Sequence, residues 1–521
     1  MTAQTARPAI NPWFIAISVM LATFMEVIDT SIASVALPHI AGSLSATTDE
    51  ATWVLTSYLV ANAVVLPASG WFSLRFGRKR FLITCIVIFT ISSFACGAAT
   101  SLGMILIARA VQGAGGGALQ PLSQAILLES FPQEKRGSAM AVFALGVVVA
   151  PVLGPTLGGW LTDAYSWRWA FYINIPIGVA AIAMISRFVV DPPYIKNAKP
   201  GRIDAIGLGL LALWLGALQV ILDKGQEVDW FGATWLRWTA VILVLTFVGF
   251  LMRQFLAKSP LVDLKVFRNR NFALGCLLIG LFGAVIYGVV TILPLFYQTL
   301  LGYTASAAGW AVSPRGVGAV CIMPIIAVLT GKVDSRFLIF TGFVIFGMTS
   351  MVMSDLTLDI GPYSLLWPVV ISGAASGMVF VPLSTTAMGT LPNEKIGNAS
   401  GLFNLMRNVG GSIGISIVNT LITRHEQIHR AFLAKDTAPE RLPFQQTFNT
   451  LYGTMVHNGA GPVVAANQAY QVIQNNIEAQ ATLMSYIDDF RYLAFACFGC
   501  GLVVMLLKRV RPNKAAAAMA H

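Results

Sequence analysis

Apolar runs of about 20 residues, the length a helix needs to cross the hydrocarbon of a bilayer, recur from Trp13 almost to the C-terminus. They constrain the chain more than any motif does. Inside a bilayer every backbone N–H and C=O must be paired within the protein, which only helices and closed barrels achieve, and runs of this length favour helices. Charged residues make up 11% of the 521-residue sequence and hydrophobic ones 56%, against roughly 25% charged in a soluble domain. The bilayer is therefore the solvent for most of the surface. The segmentation predicts an all-α integral membrane protein with fourteen transmembrane helices, near 13–37, 52–72, 81–100, 102–128, 139–160, 169–190, 205–222, 236–257, 272–298, 307–330, 337–354, 364–388, 398–421 and 487–507. The first run is too long for a signal-peptide core, holds Glu26 and Asp29 and lacks a small-residue cleavage site, so it reads as a retained helix.

Lysine and arginine set the orientation. One set of alternate connections holds Arg7, the Arg75, Arg78, Lys79 and Arg80 cluster, Lys135 and Arg136, the group from Arg187 to Arg202, the group from Arg253 to Arg270, Lys332 and Arg336, Lys395, and a tail with Lys508, Arg509, Arg511 and Lys514. The short connections on the other side hold only Arg168 and Lys224. The positive-inside rule then places both termini in the cytoplasm, which requires an even number of spans. The formal charge of +11 is accordingly a topology signal, and no aromatic-interleaved basic patch points to nucleic acid. All six cysteines fall in apolar spans, so no disulfide framework is expected. Cys497 and Cys500 form a CxxC without the strand-turn-helix setting of a redox motif or a second pair for zinc.

A weak repeat relates two halves: Gly70 and Gly331 open basic connections at similar offsets from the starts of the first and ninth spans. The expected organisation is an N-terminal six-helix bundle (1–190), a linker with two inserted spans (191–258), a C-terminal six-helix bundle (259–507) and a cytoplasmic basic tail (508–521). The second bundle includes one long external segment, 422–486. After Pro462 that segment predicts a helix in which Tyr470, Ile473 and Ile477 belong to an apolar stripe at spacings of three and four. Such a stripe needs covering, either by a helical hairpin of the segment itself or by a partner protein.

Several motifs narrow the reading. They are Asp29-Thr-Ser-Ile-Ala-Ser-Val-Ala-Leu-Pro38, Gly70-Trp-Phe-Ser-Leu-Arg75-Phe-Gly77-Arg78-Lys79, Arg109-Ala-Val-Gln-Gly113, Gly154-Pro155-Thr-Leu-Gly158-Gly159 and Trp167-Arg-Trp-Ala-Phe-Tyr-Ile-Asn174-Ile-Pro176. Together they resemble the major facilitator superfamily, in its fourteen-helix drug:proton antiporter branch, over essentially the whole chain. One departure is Leu74, where the signature connection usually has Asp. The resemblance implies two pseudo-symmetric six-helix bundles plus two inserted helices, alternating access, and proton-driven export of amphipathic drugs or toxic compounds from a bacterial inner membrane. It also implies a periplasmic adaptor and, through it, an outer-membrane channel, with Tyr470, Ile473 and Ile477 as the expected docking residues.

Within that frame Asp29, Glu26 and Arg109 are the expected proton-coupling residues. Asp29 and Glu26 are three residues apart and so neighbours on one helix face, where burial and mutual repulsion favour sharing a proton. Arg109 resembles the family's buried arginine and is expected to alternate as the carboxylate's partner. Arg315 and Arg407, each costing roughly 2.5 to 3.5 kcal/mol inside a span, are expected to face a wet cavity together with Asn404 and Gln120, unless they pair with helix carbonyls. The helix-one acids favour cationic substrates and the two arginines weak acids, and the sequence leaves that choice open.

Gly70, Arg75, Gly77 and Arg78 are expected to gate the cytoplasmic side, with topology alone as the alternative, and Gly154, Pro155, Gly158 and Gly159 to pack or bend helix five. Asp334 is a candidate substitute for the acid missing at Leu74. The Gly113–Gly117 run follows no strand, so it reads as helix packing rather than a dinucleotide loop. No GxxxxGK[ST] is present, and no cofactor is expected. His425-Glu-Gln-Ile-His429 matches the HExxH zinc pattern without a third-ligand signature, which leaves a membrane metalloprotease as a remote alternative to transport. A stand-alone exporter and a passive facilitator are the nearer ones.

Overall fold

The computed structural model describes residues 11–132, 135–196, 201, 203–257, 260–330, 332–361, 363–436 and 440–509. Arg7, Lys199, Arg202, Lys258, Gly331, Pro439 and the tail beyond Arg509 lie outside them. The described chain is helical throughout, with helices α1 (Pro12–Ser43), α2 (Thr48–Phe76), α3 (Arg78–Gly97), α4 (Leu102–Gly116), α5 (Leu119–Ser130), α6 (Arg136–Ala164), α7 (Trp169–Tyr172), α8 (Asn174–Phe188), α9 (Pro193–Lys196), α10 (Ala205–Lys224), α11 (Thr234–Leu256), α12 (Arg270–Thr299), α13 (Ala305–Val312), α14 (Pro314–Leu329), α15 (Ser335–Met353), α16 (Leu366–Met388), α17 (Asn393–Asp436), α18 (Leu442–His457) and α19 (Pro462–Val504). Local sequence starts several of them. Thr47 and Glu50 form a reciprocal capping box at α2, and the Asn269 and Asp334 side chains cap α12 and α15.

By length and apolarity, eleven helical segments among the described residues qualify to cross a membrane, or twelve when α6, bent by 42° between Arg136–Pro151 and Leu153–Ala164, is included. The count of fourteen is not reached on this criterion. The bundle-forming part of α17 is diluted by Asn404, Arg407 and Asn408, and that of α19 carries Asp488, Asp489 and Arg491.

Helices α1 to α8 pack as one bundle, and α12 to α17 with α19 as a second. The inserted pair α10 and α11 lies beside α2, with α10 also touching α17. At the end that carries the basic connections the two bundles are in direct contact. A Cβ on Gly70 of α2 would sit 3.0 Å from the Asn398 Cα of α17, and one on Gly137 of α6 would sit 3.1 Å from Thr330 Cβ. Deeper in, Ser400 Oγ and Asn404 Nδ2 of α17 both donate to Gln124 Oε1 of α5, at 2.6 and 2.7 Å. Toward the opposite end a cavity opens between the bundles, while α6 stays packed against α13, where a Cβ on Gly309 would sit 3.2 Å from Thr156 N.

All six cysteines are free. Among the described residues the segment 422–486 is mostly helical, with the end of α17, then α18, then the first half of α19. At 1.5 Å per residue the 44-residue α17 is about 66 Å long, twice the roughly 30 Å of hydrocarbon, so it must project from the bundle. The apolar stripe of α19 is covered in part from within this extension, with Tyr470 still 49% exposed. The Tyr470 ring lies 4.7 Å from Phe448 and 6.0 Å from Phe444 of α18, and Ile473 is buried.

Candidate functional site

Buried charge collects inside the first bundle and at two cavities beside it. The first of these places is Asp29 on α1. Arg109 Nη1 of α4 donates to Asp29 Oδ2 at 2.6 Å, while Gln112 Nε2 and Asn174 Nδ2 donate to Oδ1 at 2.8 and 2.7 Å. Arg109 also donates from Nε to the Val54 carbonyl at 3.1 Å and from Nη1 to Gln112 Oε1 at 2.7 Å, and its guanidinium lies 4.2 Å from the Tyr58 ring centroid. Ser93 of α3 holds Asn174 through a 2.9 Å hydrogen bond. Asp29 and Arg109 are wholly inaccessible. With one ion pair and two amide donors the carboxylate is saturated, as a buried charge must be to persist.

Glu26, one turn earlier, is held elsewhere. Its Oε1 accepts from Asn62 Nδ2 of α2 at 2.9 Å, the Gln120 side chain lies beside the carboxyl, and its buried Oε2 makes no hydrogen bond of good geometry. The two carboxyls share neither a hydrogen bond nor a donor, so the sequence-based picture of one shared proton is not the arrangement found. The cause is the angle between them: positions three apart are offset by about 60° around a helix, enough to turn Asp29 toward α4 and α8 and Glu26 toward α2.

The second place is a cavity of about 480 Å³ between α1, α6, α12 and α14. Its walls are largely apolar, with Val148, Phe282, Ile286, Val290 and Phe380 among them, and Arg315 and Arg407 face into it. Both arginines are nearly fully buried. Arg315 Nε donates to Ser372 Oγ at 3.3 Å, and its Nη1 and Nη2 have no protein acceptor. Arg407 Nη2 donates to Gln120 Oε1 and, at 3.4 Å, to Asn408 Oδ1, while its Nε and Nη1 are unpartnered. Asn404 is not among the lining residues and serves the Gln124 contact between the bundles. Gln120 lines a third place, a side pocket of about 180 Å³ that Glu26 also faces.

The expected gating residues divide by role. Gly154 and Gly158 admit Ser31 and Ile32 of α1 against α6, with Ile32 Cγ2 3.1 Å from where a Cβ on Gly158 would be, whereas Pro155 and Gly159 line the main cavity. Gly77 has φ +83°, and a side chain there would also meet Asp191 Oδ2 at 2.9 Å. Arg75 is exposed. Arg78 donates to Glu129 Oε2 at 2.6 Å and to the Tyr194 hydroxyl at 3.0 Å, and that hydroxyl donates to Glu129 Oε1 at 2.7 Å. Burial pushes the Tyr194 hydroxyl above its ordinary range, which keeps it protonated as a donor. Leu74 thus leaves no buried charge unmatched at this corner. Asp334 does not lock the halves together: Arg336 at 2.8 Å holds its carboxyl below the usual carboxylate range, and Arg509 lies 3.5 Å away, all within the second half.

His429 Nε2 is 2.8 Å from Asp488 Oδ2, and His425 Nδ1 is 3.8 Å from the same oxygen. Among the described residues no group of three or more His, Cys, Asp or Glu is assembled to hold a metal ion. The HExxH spacing here ties α17 to α19.

Sequence reasoning missed Gln112, Asn174 and Asn62. Gln112 and Asn174 lie inside quoted motifs, and an amide beside a buried arginine was the available signal.

Residues 19–415 match the family model described as Major Facilitator Superfamily. The chain is 38% identical over 440 residues to the multidrug export protein EmrB of Escherichia coli (strain K12), covering 84% of this chain and 85% of that protein. It is 36% identical over 481 residues to the fatty acid resistance protein FarB of Neisseria gonorrhoeae, covering 92% of each. In fold it is similar to the human organic anion transporter MFSD10, with a TM-score of 0.61 at 13% identity over 94% of this chain and 100% of that one.

Proposed function

We propose, since the chain belongs to the major facilitator superfamily, that it is a proton-coupled antiporter exporting amphipathic compounds across a bacterial inner membrane. Membership makes it a multi-pass membrane transporter and not an enzyme. The observation that carries the rest is the main cavity. It is apolar enough to take a hydrophobic body, yet it presents two guanidiniums with four unpartnered nitrogens between them. Desolvated donors of this kind await acceptors, and a carboxylate or similar anion supplies them. Asp29 is sealed by Arg109 and lines neither cavity, so the buried charges facing the main cavity, Arg315 and Arg407, are both positive, while Asp163, which also lines it, is solvent-exposed. Amphipathic organic anions are therefore the favoured substrates. The relative named for fatty acid resistance is in keeping with that preference.

On this reading fourteen spans cross the membrane, including the polar-diluted α17 and α19, and the basic end and both termini are cytoplasmic. The structure is then in its outward-facing form, closed where α2 meets α17 and open around the cavity. Export follows when one bundle rocks against the other. Proton binding at Asp29 removes its charge, frees Arg109 and lets the α1–α4–α8 packing shift. Each inward proton supplies about 2.3 kcal/mol per 100 mV, or roughly a fifty-fold gradient of a neutral solute, and no bound cofactor is involved.

The projecting extension docks a periplasmic adaptor leading to an outer-membrane channel. Tyr470, Ile473 and Ile477 contribute by shaping the hairpin, while Ile428 and Phe432 of α17 are 61% and 65% exposed and supply the apolar contact. In inverted vesicles with imposed pH and voltage gradients, an amphipathic carboxylate is taken up only when the interior is acid or positive. Uptake that persists undiminished without any gradient refutes antiport and leaves a passive facilitator.

A further inference from the structure

The side pocket lies where α1, α2 and α12 meet α17 and the inserted helix α10, and it is walled by Glu26, Asn62, Gln120, Gln219, Asn408 and Ser412 among others. We propose that this pocket is a second ligand site, built partly by the inserted helix, which binds the protonated amine head of an amphipathic cation through Glu26. Three observations converge on that occupant.

Glu26 is 4% exposed and lines the pocket, yet Oε2 makes no hydrogen bond of good geometry while Oε1 is fixed by Asn62. A buried carboxylate oxygen left unpaired costs free energy, and an N–H of a cationic head removes that cost through a charge-assisted bond. The rest of the lining suits a small polar head on an apolar stem. Gln219 of α10 accepts from Ser412 Oγ at 3.1 Å, which braces the wall, and Leu215, Leu218 and Ala63 supply apolar surface. The volume of about 180 Å³ is below the 300 to 1,000 Å³ of drug-sized pockets, so it holds a head group and not a whole drug.

The pocket also borders the main cavity. Tyr287 lines both, and Gln120 and Asn408, which face the side pocket, accept from Arg407, which faces the main cavity. The molecule thus sets an acidic pocket and an electropositive cavity on two sides of one wall, and the Arg407 charge behind that wall limits the side pocket to a monovalent cation. The inserted helices acquire a role here, because α10 closes a site that the two bundles alone leave unwalled. This builds on the transporter reading, but its test does not depend on transport.

The test is binding of radiolabelled benzylamine to the purified full-length protein in lipid nanodiscs, by equilibrium dialysis at neutral pH where the amine is protonated. Saturable binding is expected, weakened by roughly ten-fold or more in Glu26→Gln, in Ala63→Leu, which fills the pocket away from the carboxylate, and in Gln219→Leu, which alters only the α10 wall. Benzyltrimethylammonium, which has no N–H to give Oε2, should bind at least as weakly. Thermal unfolding of each variant checks that it is folded, and Ala63→Leu keeps the test open if Glu26→Gln is not. No saturable binding by the wild type, or equal binding by folded Glu26→Gln and Ala63→Leu proteins, overturns the proposal. If wild type does not bind the amine while Glu26→Gln loses pH-driven export, Glu26 belongs to proton coupling instead. If binding behaves as expected but vesicles export nothing, the antiport reading fails and the site stands.

Discussion

Two buried sites, one in each bundle, treat charge in opposite ways. In the first, Asp29 and Arg109 meet each other, two amides and a backbone carbonyl, with no opening onto either cavity. In the second, Arg315 and Arg407 keep unpartnered N–H groups facing an apolar cavity. A charge with its counter-charge beside it holds helices together until one of the two is neutralised, whereas a cation without a counter-ion, although Arg315 bonds Ser372 and Arg407 bonds Gln120, keeps N–H groups placed to receive a ligand. On the proposed reading the first kind of site suits energy coupling and the second suits recognition.

Removing single partners breaks the comparison most sharply. Asp29→Ala strands the Arg109 guanidinium and should cost about 3–5 kcal/mol, seen as a large fall in the thermal unfolding midpoint. The double variant Asp29→Asn with Arg109→Gln should recover most of that stability yet show no pH-driven export, because a charge switch cannot be rebuilt from amides. Retention of wild-type pH dependence in folded Asp29→Asn protein would remove Asp29 from the coupling mechanism.

Arg315→Met should behave in the reverse way. It removes a buried cation without a protein counter-ion, so stability should be unchanged or higher, while uptake of an anionic substrate into inverted vesicles falls by about ten-fold or more. A clear loss of stability would mean that Arg315 is a structural residue.

A smaller effect should come from the closed end. Gly70→Val presses a branched side chain toward Asn398, where even a Cβ comes within 3.0 Å, and should hold α2 away from α17. On a cysteine-free background, Ser400→Cys, buried in this state, should then react about ten-fold faster with an impermeant thiol reagent added from the basic side. An unchanged rate would show that the close contact at Gly70 does not govern closure. The smallest effect is expected in the extension: Phe448→Ala should cost about 0.5–1.5 kcal/mol, leave the bundle intact, and increase proteolysis between α18 and α19.

The membrane class and most of the helical runs were legible in the sequence because hydrophobic run length is a local property. So was the presence of four charges, Asp29, Arg109, Arg315 and Arg407, inside helical spans, since a charge in an apolar span stands out in isolation. What the sequence withheld was pairing. Nothing in the spacing of α1 says that Asp29 turns to Arg109 and Asn174 while Glu26 turns to Asn62, since that depends on which helices abut and at what angle. Asn404, expected in the cavity, contacts Gln124 because α17 meets α5 at that level. The stripe around Tyr470 was visible, but Phe444 and Phe448 came into play only once α18 folded back upon it. Helix continuity was hidden for a different reason: the polar stretch after residue 422 resembles a loop in composition, although its helix propensity carries α17 unbroken to Asp436.

The length of α19 has a mechanical consequence. It is continuous from Pro462 in the projecting hairpin to Val504 at the basic end, about 65 Å of rod at 1.5 Å per residue, and His429 fastens its neighbour α17 to it through Asp488 partway along. A rod of that length acts as a lever arm. A tilt of the second bundle by some 10° would sweep its outer tip through about 11 Å, so whatever grips the hairpin feels each turnover as displacement and, in return, can stall the cycle by holding the tip still.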